Sequence, residues 1–163
     1  MAIKNYKLKI SSSKDELFKL QRFIEEIGDD YNINNNYFGN ILITLNEAVE
    51  NAIEHGNKND INKKIIIEFS SKDEGLSFII KDEGEGFNFN EIPDPTIEEN
   101  DEQKGRGIFL MKNLSDEILY HPEKTAIELI FKISSINKEL SNYRAQLLNN
   151  YKSETINKEN KAH

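Results

Sequence analysis

Ile41-Leu42-Ile43-Thr44-Leu45-Asn46-Glu47-Ala48-Val49-Glu50-Asn51-Ala52-Ile53-Glu54-His55-Gly56 is the run from which the rest of the chain can be read. Phe38, Ile41, Leu42, Leu45, Val49, Ala52 and Ile53 recur at the spacing of one helix face, so the run predicts an amphipathic helix with an apolar stripe. At about 100° per residue, Thr44, Glu47 and Asn51 fall on the side away from that stripe. Gly56 stands where a left-handed cap would end the helix. Glu47 and Asn51 are four positions apart, so their side chains are neighbours. One is an acid or base, and the other is a neutral oxygen ligand for a hard metal ion. A solvated helix face can carry the same pair, and residues further along the chain decide between the two meanings.

The 163 residues suggest one domain, and a hydrophobic fraction of 37% is enough for a packed core. The net charge of −8 argues against a phosphate-backbone binder, so no nucleic-acid partner is expected. There is no cysteine, which excludes disulfides, thiolate zinc sites and a cysteine nucleophile. No apolar run approaches the roughly 20 residues that cross a bilayer, and the N-terminal residues lack an apolar signal core. A cytoplasmic protein without a membrane partner is the expectation.

Residues 6–10 alternate as a strand. Ser13 and Glu16 then form a capping-box pattern, with Leu17, Leu20, Ile24 and Ile27 at helical spacing and Gly28 closing the helix. Residues 64–69 and 76–81 read as two strands joined by the turn Lys72-Asp73-Glu74-Gly75. By the same period, Asp82 points to the core side at the end of the second strand, where an unpaired charge is costly. Residues 88–104 lack an apolar period and contain Pro93, Pro95 and an acidic run over 98–102, as in a lid. A helix is expected over 108–116, followed by strands over 117–120 and 126–133. Ile136, Leu140, Tyr143 and Leu147 are spaced for one more helix before a polar tail. This order predicts an α+β fold: a two-layer sandwich with a mixed, mostly antiparallel sheet and helices on one face.

Asp82-Glu83-Gly84-Glu85-Gly86-Phe87 places two glycines one residue apart after a strand, letting the backbone turn tightly and approach a ligand. The carboxylate before them can accept a hydrogen bond from an exocyclic amine such as that of adenine. Gly105-Arg106-Gly107, preceded by Lys104, opens the next predicted helix. A helix N-terminus presents free N–H groups and positive potential to phosphates, and arginine can grip phosphate oxygens in a fork. The absence of a following Gly-Lys-Ser/Thr rules out a Walker A loop. His55, His121 and His163 have no metal-site spacing, and the acidic run lacks the glycine-centred EF-hand pattern.

Taken in order, Glu-x-x-x-Asn on a helix, Asp-x-Gly-x-Gly-Phe after a strand and Gly-x-Gly after a long loop resemble the N box and two glycine boxes of the Bergerat-fold (GHKL) ATP-binding superfamily. The residues Asn46 to Gly56, together with Gly105-Arg106-Gly107-Ile108-Phe109-Leu110-Met111 and Leu114-Ser115-Asp116-Glu117, are similar to its anti-sigma factor serine kinase branch. The resemblance covers about residues 6–133. It implies ATP and Mg²⁺ as cofactors, a histidine-kinase-like ATPase domain over 1–134, and a C-terminal helix and tail over 135–163. Asn51 would coordinate Mg²⁺ and Glu47 would be the general base. Asp82, Gly84 and Gly86 would bind the adenine, while Lys104, Gly105, Arg106 and Gly107 would form the phosphate lid. The tail is longer than compact members need, and the acidic run beside the second glycine box is unusual.

The implied function is an ATP-dependent serine/threonine protein kinase that phosphorylates a serine on an anti-sigma-factor antagonist (STAS-like) domain, with a sigma factor as a further partner. Homodimerisation is implied by the resemblance alone. The rival readings are a catalytically silent ATP-gated binding module, a detached histidine-kinase catalytic domain, and a plain acidic domain with coincidental turns. Asn51 and the glycine turns serve both the serine kinase and the silent module, so the sequence does not separate those two, although the presence of Glu47 favours catalysis.

Overall fold

Short alternating runs pair in space as their period demands. β1 (Tyr6–Ser11), β2 (Lys64–Lys72), β3 (Gly75–Lys81), β4 (Glu117–His121) and β5 (Ala126–Lys132) form one sheet in the order β1-β2-β3-β5-β4. Its four pairings are all antiparallel. This computed structural model describes residues 6–73, 75–86, 102–132, 145–150 and 152–153, with the backbone alone for 102–106. The register places Ile67 opposite Ile80, Phe69 opposite Phe78, and Phe78 opposite Leu129. Ile10, Ile65, Ile67, Phe69, Leu76, Phe78, Ile80, Ile127, Leu129 and Phe131 therefore share one buried face. Phe78 lies at its centre, 5.0 Å from the Phe69 ring and 5.9 Å from the Phe131 ring, in tilted and edge-on arrangements that aromatic pairs favour.

Helices α1 (Leu17–Asp30), α2 (Asn35–Asn51) and α3 (Glu102–Leu114) supply the other half of the core. Leu20, Ile24 and Ile27 enter from α1, Ile41, Leu45 and Val49 from α2, and Ile108 and Met111 from α3, all essentially buried. The two-layer α+β sandwich expected from the element order is thus the architecture found. Among the described residues, no helix is long and apolar enough to cross a membrane.

The helix ends differ from those that local signals predict. Ser13 caps a 3-10 turn, Lys14–Glu16, by accepting from the Asp15 N–H at 3.3 Å. The Glu16 carboxylate reaches back to the Ser11 N–H at 2.6 Å, further than a capping box requires, and this bond holds its pKa below the usual value. Helix α1 runs two residues past Gly28. A Cβ there would lie 3.1 Å from the Phe38 ring, so the glycine lets α1 approach α2 instead of ending the helix. Asn34 caps α2 through the Tyr37 N–H at 2.9 Å. After Asn51 the chain widens into a π turn, Ala52–Gly56, and the left-handed residues come later, at Lys58 and Asn59. Gly56 is therefore not a left-handed cap.

Thr44 is also placed differently from the sequence expectation. It is fully buried and donates to the Asn40 carbonyl at 2.7 Å. Helix α3 packs along α2 and adds Ile108 and Met111 to the same core. Helix α3 begins at Glu102, earlier than predicted, and ends at Leu114. The predicted helical positions Ile136, Leu140 and Tyr143 lie outside the described residues, as does most of the loop over 88–104. Residues 145–150 are helical, with Leu147 and Leu148 exposed.

Candidate functional site

The end of α2, the turn after β3 and helix α3 converge closely. A Cβ on Gly56 would lie 2.5 Å from Cγ of Asp82, and one on Gly84 would overlap the Gly56 carbonyl oxygen. Gly84 lies against the Gly56 backbone, and Gly56 lies against the Asp82 carboxylate, so a side chain at either position would displace the other segment. On the other flank, a Cβ on Gly107 would lie 2.5 Å from Oε2 of Glu47. Residues that are distant in the chain thus make two contacts along α2 and its continuation, Asp82 and Gly84 against Gly56 and Gly107 against Glu47.

Asp82 is anchored at several atoms. Its N–H donates to the Thr125 carbonyl at 3.2 Å, and its own carbonyl accepts from Thr125 Oγ1 at 2.7 Å. Its Oδ1 accepts from the Gly84 N–H at 2.8 Å. Burial raises the Asp82 pKa, against the opposing pull of that N–H and of the Lys63 charge. A half-buried carboxylate fixed by the Gly84 N–H can present a directed acceptor to a ligand amine. Gly86 has φ +86°, and a Cβ there would approach the Tyr120 hydroxyl to 3.0 Å.

Asn51 lies one turn beyond Glu47 and is 9% exposed. Its Nδ2 is buried without a hydrogen-bond partner among the described residues. An unsatisfied buried amide is costly, and a polar ligand arriving beside it would relieve that cost. Among the described residues there is no cluster of three or more histidine or carboxylate groups suited to a metal.

The second glycine pair is placed differently from the sequence prediction. Gly105 and Gly107 lie inside α3 and not at its opening. In a helix that starts at Glu102, the N–H groups of Arg106 and Gly107 fall beyond the first turn and are used within the helix. The side chains of Lys104 and Arg106 lie outside the described residues. Sequence reasoning missed Asn57, Tyr120 and Thr125. Asn57 offered only its adjacency to Gly56, while the hydrogen-bond partner of Thr125 is 43 positions away.

The model of the histidine kinase-like ATPase domain matches residues 10–131, a span that contains the whole site. The chain belongs to the histidine kinase-like ATPase family. An ATPase domain of this family implies use of ATP. The chain is 33% identical over 86 residues to a protein named serine-protein kinase RsbW from Bacillus subtilis (strain 168), covering 48% of this chain and 53% of that one. It is 39% identical over 81 residues to an anti-sigma F factor of Shouchella clausii (strain KSM-K16), covering 48% and 56%. With the anti-sigma F factor of Oceanobacillus iheyensis (strain DSM 14371 / CIP 107618 / JCM 11309 / KCTC 3954 / HTE831) it shares 32% identity over 107 residues, covering 63% and 73%. The chain spans about half the length of the first two of these relatives.

Proposed function

We propose that this protein is an ATP- and Mg²⁺-dependent serine kinase whose substrate is a serine on an anti-sigma-factor antagonist domain. The observation that supports the proposal is that Glu47 and Asn51 share α2, whose continuation through Gly56 packs against Asp82 and Gly84 while Gly107 of α3 packs against Glu47. The names of the relatives, a serine-protein kinase and anti-sigma F factors, support the same partner class, with a sigma factor as the protein released or retained by the switch.

In this reading, the Asp82 carboxylate accepts a hydrogen bond from the exocyclic amine of adenine, while Gly84 and Gly86 leave room for the base. Asn51, through its side-chain oxygen, is the residue that would hold Mg²⁺, which would supply charge neutralisation for the nucleotide phosphates. Lys104, Gly105, Arg106 and Gly107 would serve the triphosphate in this reading. Glu47 takes the proton from the substrate serine hydroxyl. The serine oxygen then bonds to the γ-phosphorus as the bond to the β–γ bridging oxygen breaks, and ADP leaves. Such a reaction asks the protein chiefly for positioning and charge neutralisation. The added phosphate, of about −2 charge, re-sorts the partner interface.

One observation favours a second reading. With Gly107 against Glu47, α3 covers the carboxylate, as a gate would in a module whose partner binding follows ATP occupancy without transfer. Radiolabel transfer from ATP to a candidate antagonist distinguishes the two. The kinase reading expects Glu47→Ala to lower transfer by about 10²- to 10⁴-fold while ATP still binds. Undiminished transfer in that variant overturns the assignment of the base.

A further inference from the structure

Asn57 is fully buried directly after the π turn, and every polar atom of its side chain is engaged. Its Nδ2 donates to Ser12 Oγ at 2.6 Å and to the Lys64 carbonyl at 3.1 Å. Its Oδ1 accepts from the Glu83 N–H at 2.8 Å. Its own N–H donates to the Ala52 carbonyl at 2.8 Å, and its carbonyl accepts from the Asp60 N–H at 3.0 Å. Ser12 in turn donates to the Lys63 carbonyl at 2.9 Å. One amide therefore ties β1, β2 and the end of the π turn to the turn after β3.

The contact with Glu83 bears on the site. The Asp82 carbonyl and the Glu83 N–H belong to one planar peptide unit. Thr125 Oγ1 holds the carbonyl end of that plane at 2.7 Å, and Asn57 Oδ1 holds the N–H end at 2.8 Å. Gripped at both ends, the plane cannot rotate, and the backbone that aims the Asp82 carboxylate is set. A third contact, from the Lys64 N–H to the Glu83 carboxylate at 2.9 Å, closes the same turn against β2.

We propose that Asn57 is a positioning residue for base selection, acting through the Asp82–Glu83 peptide without touching the nucleotide. This rests on the reading of Asp82 as the group that accepts from the adenine amine. A carboxylate aimed at an amine rejects a base that carries a carbonyl there, and the rejection weakens when its direction is no longer fixed. Losing Asn57 should therefore erode discrimination between adenine and guanine nucleotides more than it weakens the grip on the triphosphate.

Equilibrium binding of ATP and of GTP at constant Mg²⁺ tests this, with a thermal melt of each variant. Asn57→Ala is expected to lower the ATP-over-GTP affinity ratio by about tenfold, mostly through weaker ATP binding. Ser12→Ala, which removes another partner of the same amide and leaves the Glu83 contact, should lower the melting temperature and keep the ratio. Asn57→Asp retains an acceptor for the Glu83 N–H and should hold the ratio near that of the wild type, although its second oxygen faces the Lys64 carbonyl. If Asn57→Ala does not fold, Asn57→Ser, too short to reach Glu83, takes its place with the same expectation. A wild type that prefers ATP beside an Asn57→Ala of equal preference overturns the proposal, as does Ser12→Ala changing the ratio equally. A wild type that binds both nucleotides alike, or neither, overturns the Asp82 reading and this one with it.

Discussion

Glu128 shows how one residue can hold a charge inside the fold. It lies on the sheet face away from the helices and is 5% exposed. Burial works to raise its pKa, but hydrogen bonds from Lys72 at 2.9 Å, Ser77 at 2.6 Å and His121 at 2.9 Å outweigh it and lower it to about 2. A carboxylate whose folded pKa is depressed contributes stability above its unfolded pKa and loses it as the pH falls through the folded value. The drop from 4.5 to about 2 corresponds to about 3 kcal/mol, to order of magnitude. Glu128→Gln should therefore unfold about 2–3 kcal/mol more easily at neutral pH, and the gap from the wild type should narrow between about pH 4.5 and pH 2. Urea denaturation of both proteins across that range checks the expectation; a gap that does not depend on pH would show that charge is not the cause.

Among the elements, the π turn and α3 make opposite demands on their glycines. A Cβ on Gly56 would meet the Asp82 carboxylate, which the Gly84 N–H already pins. Gly56→Ala must push that carboxylate aside, so it should cost about 1–3 kcal/mol of stability and abolish ATP binding. A Cβ on Gly107 would meet the far end of the Glu47 side chain, which has rotamers available to it. Gly107→Ala should cost under about 1 kcal/mol and leave ATP affinity nearly intact, yet reduce phosphoryl transfer. Melting curves and ATP titrations on the two variants decide the matter. Equal losses of ATP affinity would mean that α3 belongs to the base pocket as much as the π turn does.

At the scale of the whole molecule, the three site segments stay together because one core holds them. ATP that binds only the folded chain should raise its stability by about 2.7 kcal/mol at a hundredfold excess over Kd. Asp82→Asn gives a control with a sign of its own. Burial raises the Asp82 pKa, so its ionised form weakens the ligand-free fold as the pH rises through that value. The neutral amide removes this penalty. Ligand-free Asp82→Asn should melt at or above the wild type near neutral pH, and ATP with Mg²⁺ should no longer raise its melting temperature. Calorimetry with and without nucleotide reads both effects; an undiminished shift in the variant would remove Asp82 from the site.

Much of this was open to a reader of the chain alone. The period-two runs over β2, β3 and β5, the apolar stripe of α2, and the spacing of Glu47, Asn51, Asp82 and the glycines are local patterns. Backbone geometry turns such patterns into faces without help from distant residues. Other features came only with the assembled molecule. Thr44 and Asn51 are buried although their spacing puts them off the apolar stripe of α2. Gly56 is needed because Asp82 and Gly84 arrive against it, while Asn57 and Thr125 matter because they grip the same peptide from two sides. Glu128 keeps its charge because Lys72, Ser77 and His121 surround it. Each of these depends on which elements come to face one another, a matter of long-range packing that no spacing along the chain records.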